Sequence, residues 1–116
     1  MSVTYPAEET HSAFEQHLLH AWHEAHGRDG GRISTSWGAD RVVAMIENAF
    51  FKGERLLTQS EQGNHVLEQY VRELLAHVIA THEEELSVLL DRRIVSTSYS
   101  VNTREGWVMF IFWLAE

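Results

Sequence analysis

The sequence predicts an α+β domain with the element order α-β-β-α-β-β, which is an αββ unit used twice. Two long stretches place apolar residues at spacings of three and four, as amphipathic helices do, and four shorter stretches rich in Val, Ile, Phe and Trp are typical of strands. At 116 residues the chain has the size of one domain with a single core. We expect a flexible tail over residues 1–8 and one domain over residues 9–116.

The first helix is predicted after the tail. Thr10 or Ser12 would cap its start, and Gly27 suits its end. Its apolar row consists of Phe14, Leu18, Ala21, Trp22 and Ala25.

The first strand pair follows a glycine-dense loop. "RISTSW" at 32–37 alternates large residues with serines, and "RVVAMIENAF" at 41–50 is rich in Val, Ile and Phe. The "GAD" between them is a hairpin turn signal, so the two strands should pair antiparallel.

A long helix is predicted from Glu61 to about Leu90, where the apolar period changes to 3.6. Its apolar row consists of Leu67, Val71, Leu74, Leu75, Val78 and Leu89. "RRIVSTSYSV" and "GWVMFIFWL", separated by "NTRE", then predict a second hairpin.

The final strand is apolar on both faces, so both faces should be buried. Two helices cover only one face of a four-stranded antiparallel sheet, and a large exposed apolar patch usually marks an interaction surface. We therefore expect a second copy of the chain to cover the other face, as a homodimer. The candidate interface residues are Trp107, Met109, Phe110, Ile111, Phe112 and Trp113.

The charge balance excludes several classes of partner. With 17 acidic and 9 basic residues the formal net charge is −8, which disfavours nucleic acid and docking on an anionic membrane. There is no cysteine, no signal peptide pattern, and no apolar run of the ~20 residues that a spanning helix needs. We expect a soluble cytoplasmic protein without membrane insertion.

Eight histidines raise the question of a metal. His17, His20, His23 and His26 are spaced by three, and each step turns about 300°, so the four should fan across the polar side of the helix. His17 with His20, or His20 with Glu24, would hold a metal only weakly, because a zinc site needs three or four converging ligands. We predict no metal site, with a histidine-rich metal buffer as the alternative.

A second histidine lies near the apolar face of the long helix. His82 is one turn from Glu85, and a neutral histidine satisfied by that carboxylate is the simpler interpretation. The alternative is a pocket between helix and sheet containing His82, Glu85 and Tyr99, where burial would tune them for proton transfer or ligand binding. No nucleophile or phosphate loop is recognisable, so we expect neither enzyme activity nor a cofactor.

The segment "NAFFKGERLLTQSEQG" at 48–63, which we call the corner, joins the second strand to the long helix. With the "GRDG" before the first strand, it resembles the MpsC family, whose approximate pattern is "GxGP", a strand pair, "LTPxEkxL", "eeGrelV", a long helix and a closing strand pair. The matching residues are Gly27, Glu54, Leu57 and Gly63, and the departures are Gly30, Phe51 and Lys52.

The resemblance implies a structural role for the corner. In the family, Thr-Pro-x-Glu looks like a helix start with a Thr cap and a Glu that reaches back. This chain has lost the Thr-Pro pair, so Ser60, or Thr58 with Glu61, would cap the long helix instead. Glu54 and Arg55 would order the corner.

The resemblance also implies a function. MpsC is the small component of a sodium-translocating membrane potential-generating system, formerly a domain of unknown function. We therefore expect a non-enzymatic accessory subunit that binds membrane subunits of an ion-translocating, inorganic-carbon uptake complex at the inner face of the membrane.

Overall fold

The computed structural model describes residues 8–27 and 29–116. Its elements are α1 Glu8–His26, β1 Arg32–Trp37, β2 Arg41–Glu47, α2 Lys52–Leu57, α3 Glu61–Leu90, β3 Ile94–Asn102 and β4 Trp107–Leu114. The predicted α+β class and the αββαββ order of the main elements are confirmed, with the short helix α2 as an addition. The predicted tail lies outside the described residues except for Glu8, which is the first residue of α1.

Helix α1 starts earlier than predicted. Thr10 and Ser12 were expected as caps, but both lie inside the helix, which carries Glu8 and Glu9 in its first turn. Negative charge there is favourable because it faces the exposed N–H groups of the helix start. The predicted end is confirmed: Gly27 takes a left-handed φ of 87° and donates its N–H to the His23 carbonyl at 2.8 Å.

The four strands form one antiparallel sheet in the order β1-β2-β4-β3. Strand β2 ends at Glu47, three residues before the predicted Phe50. The reason lies in the next residue, since Asn48 takes a φ of 54° and turns the chain away from the sheet. Ala49 and Phe50 then enter the core.

Both long helices pack on the same face of the sheet, with α1 contacting β1 and α3 contacting β3. The helices run antiparallel: the middle of α1 contacts the second half of α3 at His82, and the end of α1 contacts the corner at Glu54. Between helices and sheet lies one core, which includes Phe14, Leu18, Trp22, Val42, Ile46, Leu67, Val71, Leu75, Val78, Leu86, Val108, Phe110 and Phe112.

Helix α3 spans Glu61 to Leu90, as predicted, and is about 45 Å long at 1.5 Å per residue. Of the two caps considered, Ser60 is the one used, since its Oγ accepts the Gly63 N–H at 2.9 Å. Thr58 is the C-cap of α2, where its hydroxyl donates to the Arg55 carbonyl at 2.7 Å.

Candidate functional site

The sheet face opposite the helices carries a continuous apolar stripe, which we call the open face. The strand register places Val43 beside Ile111, and Met45 beside Met109. The edge strands flank the stripe with serines, since Ser34 pairs with Met45 and Ser98 with Ile111. The open face consists of Val43, Met45, Trp107, Met109, Ile111 and Trp113, all half-buried.

Two of the predicted interface residues do not lie there. Phe110 and Phe112 are both 0% exposed beneath the helices, where Phe112 packs edge-on against Phe14 with ring centroids 5.5 Å apart. Alternate residues of a strand point to opposite faces, so β4 gives one aromatic row to the core and the other to the open face. Candidate contacts are therefore Trp107, Met109, Ile111 and Trp113.

At the corner, Glu54 joins three parts of the chain. Its carboxylate accepts the Phe51 N–H at 2.8 Å, which satisfies one free donor at the start of α2. The same carboxylate accepts from His26 Nε2, at 2.8 and 3.0 Å from its two oxygens. Glu54 thus supplies the glutamate half of a capping box and also holds the end of α1.

His26 was not identified from the sequence. Its ring is stacked between Trp22, at 4.7 Å between centroids, and Phe51, at 4.6 Å, and its side chain is 2% exposed. The prediction that the four histidines fan over the polar side is therefore wrong for His26. Three steps of 300° carry the row half-way around the helix, and His26 lies only about 40° from Trp22 on the buried face. The i+4 row Phe14, Leu18, Trp22 was the signal that could have located it.

The other residues that match the family pattern also have structural positions. The Gly63 N–H bonds Ser60, and a Cβ on Gly63 would stand 2.3 Å from the Leu57 carbonyl oxygen. Only glycine lets α2 and α3 approach this closely without a shift of the backbone. Leu57 itself ends α2 and is 41% exposed.

A cavity of about 260 Å³ adjoins the corner. It is lined by Trp22 and His26 of α1, by the glycines before β1, and by Lys52 and Arg55 of α2. Trp22 Nε1 is buried without a hydrogen-bond partner among the described residues. Lys52 and Arg55 form no ion pair within that part of the chain.

The structure brings two of the three predicted pocket residues together and adds a third from α1. His82 Nδ1 lies 3.2 Å from His17 Nε2, and Glu85 Oε2 lies 3.2 Å from the same nitrogen. Tyr99 packs against the core and pairs with Phe110 across β3 and β4. The sheet is reached instead by Glu83, whose carboxylate accepts from the Thr97 hydroxyl at 3.1 Å.

The weak metal pair predicted on α1 has the expected local geometry. His20 Nε2 and Glu24 Oε1 are 3.2 Å apart, but both side chains are more than half exposed. The pair is a two-ligand contact on the helix surface. His17, the third member of that prediction, turns away toward α3.

Comparison with known proteins identifies a family. A family model described as "Na+-translocating membrane potential-generating system (MpsC)" matches residues 7–116. No curated protein and no solved structure matches this chain. Within the described residues, no helix combines the length and the apolar character needed to cross a bilayer.

Proposed function

Because the chain belongs to the MpsC family, we propose that it is a non-enzymatic accessory subunit of a sodium-translocating membrane system, and that it works as a homodimer joined through the open face. The family description supplies the system. The distribution of polar and apolar surface supplies the argument for the dimer.

The composition of the open face favours association. Trp107 and Trp113 stand at its two ends with Met109 and Ile111 between them, and tryptophan is among the residues that contribute most to protein interfaces. Charges are confined to the rim: Arg32 pairs with Glu47 at 3.5 Å, and the Arg41 guanidinium lies 4.8 Å from the centre of the Trp113 ring.

The charge distribution favours a second copy as the occupant. A net charge of −8 per chain opposes self-association, but within the described strands the acidic residues comprise Glu47 alone. Most acidic residues lie on the helices. Two sheets that pack face to face at about 10 Å place these acidic helices on the outside, far from each other.

The outward helices would then be the surface offered to the membrane subunits. Helix α3 carries Glu61, Glu68, Glu73, Glu83, Glu84 and Glu85 along its length. An acidic surface of this kind fits a partner with cytoplasmic loops rich in Lys and Arg, which membrane proteins retain on that side. In this proposal the chain binds the transporter and carries out no chemistry itself, and inorganic-carbon uptake is the process that it supports.

The test is a pair of matched charge substitutions. Ile111→Glu places a carboxylate in the centre of the open face and should give monomers, because two copies would bury unpaired charges. Val88→Glu, at a position 77% exposed on α3, should leave the dimer unchanged. Analytical ultracentrifugation measures the state, and circular dichroism checks that both variants fold.

The dimer-breaking variant also tests the cellular role. In a strain that lacks the chain, wild type should restore the sodium-dependent membrane potential, measured with a voltage-sensitive dye, and Ile111→Glu should not. Restoration by a monomeric Ile111→Glu would contradict the requirement for a dimer. An unchanged potential in the deletion strain would contradict the accessory role.

A further inference from the structure

We propose that His17, His82 and Glu85 form a binding site for a divalent transition-metal ion, with Zn²⁺ as the best fit, and that the ion links α1 to α3. The three side chains offer ligand atoms that all lie within 4.8 Å of one another. We call them the interhelical triad. The triad lies on the helix layer, away from the open face, so the proposal is independent of the dimer.

The contacts of His17 are difficult to satisfy with protons alone. Its Nε2 lies 3.2 Å from His82 Nδ1 and 3.2 Å from Glu85 Oε2. An imidazole nitrogen carries either one N–H or one lone pair, and an ionised carboxylate only accepts. If His17 Nε2–H donates to Glu85, the nitrogen has no second proton and no lone pair for a separate hydrogen bond with His82. If Nε2 accepts from His82, the contact with Glu85 has no proton.

A metal ion resolves this conflict because it accepts a lone pair from all three groups. Zinc binds histidine nitrogen at about 2.0–2.1 Å and carboxylate oxygen at about 2.0–2.2 Å, so tetrahedral ligand atoms lie about 3.3–3.4 Å apart. The two 3.2 Å separations around His17 Nε2 are close to this value. The remaining pair, His82 and Glu85, lies within 4.8 Å and would close by a rotation of the Glu85 side chain, which is 65% exposed.

The positions of the ligands in the fold support the same conclusion. His82 and Glu85 are three residues apart on α3 and therefore project from one side of that helix. His17 comes from the antiparallel helix α1, and its ring makes an angle of 72° with that of His82, so the rings do not stack. Two histidines and one carboxylate leave a fourth position for water or a further ligand.

The choice of metal follows from the ligand types. Imidazole suits Zn²⁺, Ni²⁺ and Cu²⁺, whereas Mg²⁺ and Ca²⁺ prefer oxygen ligands. The neighbouring Glu83 and Glu84 and the net charge of −8 favour a cation. Because a bound ion connects two helices of the folded chain, it should stabilise the native state by mass action.

The test is a titration of tag-free, chelator-treated protein with ZnCl₂, followed by calorimetry and by thermal melting. We expect one Zn²⁺ per chain and a melting temperature raised by several degrees at saturation. His17→Gln and His82→Gln each remove a ligand and should weaken binding by more than the roughly tenfold that loss of an outer-shell partner costs. His20→Gln on α1 and His65→Gln on α3 are the matched controls and should bind as wild type.

Two further measurements keep the test independent of folding. Glu85→Gln alters a side chain that is 65% exposed, so without metal the variant should have the melting temperature of metal-free wild type. Its affinity for Zn²⁺ should nevertheless be lower, because a ligand has been changed. Substitution with Co²⁺ should give the intense visible absorption of a tetrahedral site, lost in His82→Gln. No stoichiometric binding, or equal losses in His17→Gln and His20→Gln, would overturn the proposal.

Discussion

At the scale of single residues, Glu54 can be identified from the sequence, but only part of its structural role follows from the sequence. The family resemblance implies a glutamate that reaches back at a helix start, and the Glu54 carboxylate accepts the Phe51 N–H at the start of α2. Its bond to His26 joins positions 28 residues apart, and no local pattern reports such a contact. The corner therefore depends on Glu54 for tertiary packing as well as for the helix start.

Replacing Glu54 should reduce stability. Glu54→Ala leaves the buried His26 Nε2 and the Phe51 N–H without their acceptor, and we expect a loss of about 2–4 kcal/mol from the free energy of unfolding. Urea denaturation measures the change. Glu84→Ala, at an exposed position on α3, is the control and should stay within about 0.5 kcal/mol of wild type.

The outcome for Glu54 separates a structural role from a chemical one. A Glu54→Ala variant with unchanged stability that no longer restores the membrane potential would show that Glu54 acts in function and not in the fold. Glu54→Gln gives a finer comparison, since its amide oxygen can still accept one of the two hydrogen bonds.

At the scale of elements, the helices and strands with clear periods follow from the sequence, whereas α2 does not. Helix α3 is confirmed from Glu61 to Leu90 because its apolar row repeats over many turns. Helix α2 has only six residues and no fully buried side chain, so no apolar period can reveal it. Its existence depends on the corner, where Glu54 and Ser60 fix the two helix starts.

The junction of α2 and α3 gives a prediction with an internal control. Gly63→Ala puts a methyl group 2.3 Å from the Leu57 carbonyl oxygen, and we expect a loss of about 1–3 kcal/mol. Gly53→Ala, within α2 and in open space, should instead stabilise by about 0.5–1 kcal/mol. Thermal melting of the two separate variants measures both changes in stability. A lower melting temperature for Gly53→Ala together with an unchanged one for Gly63→Ala would contradict this description of the junction.

At the scale of the whole molecule, the sequence indicates that β4 is apolar on both faces but not which face the helices cover. Phe110 and Ile111 belong to the two apolar rows on opposite faces of β4, and both rows predict burial. Only the packing of α1 and α3 assigns Phe110 to the core. The interhelical triad cannot be identified from the sequence for a related reason. His17 and His82 are 65 residues apart in sequence and meet only because α1 and α3 pack antiparallel in one register.

The proposed dimer, in which a second copy covers the open face, is a property of the whole molecule. The most direct measurement is sedimentation equilibrium of the unmodified chain between ~1 and ~100 µM, where an interface of standard size should remain associated. We expect twice the chain mass of 13.4 kDa over most of this range. A mass of 13.4 kDa at the highest concentration would contradict it.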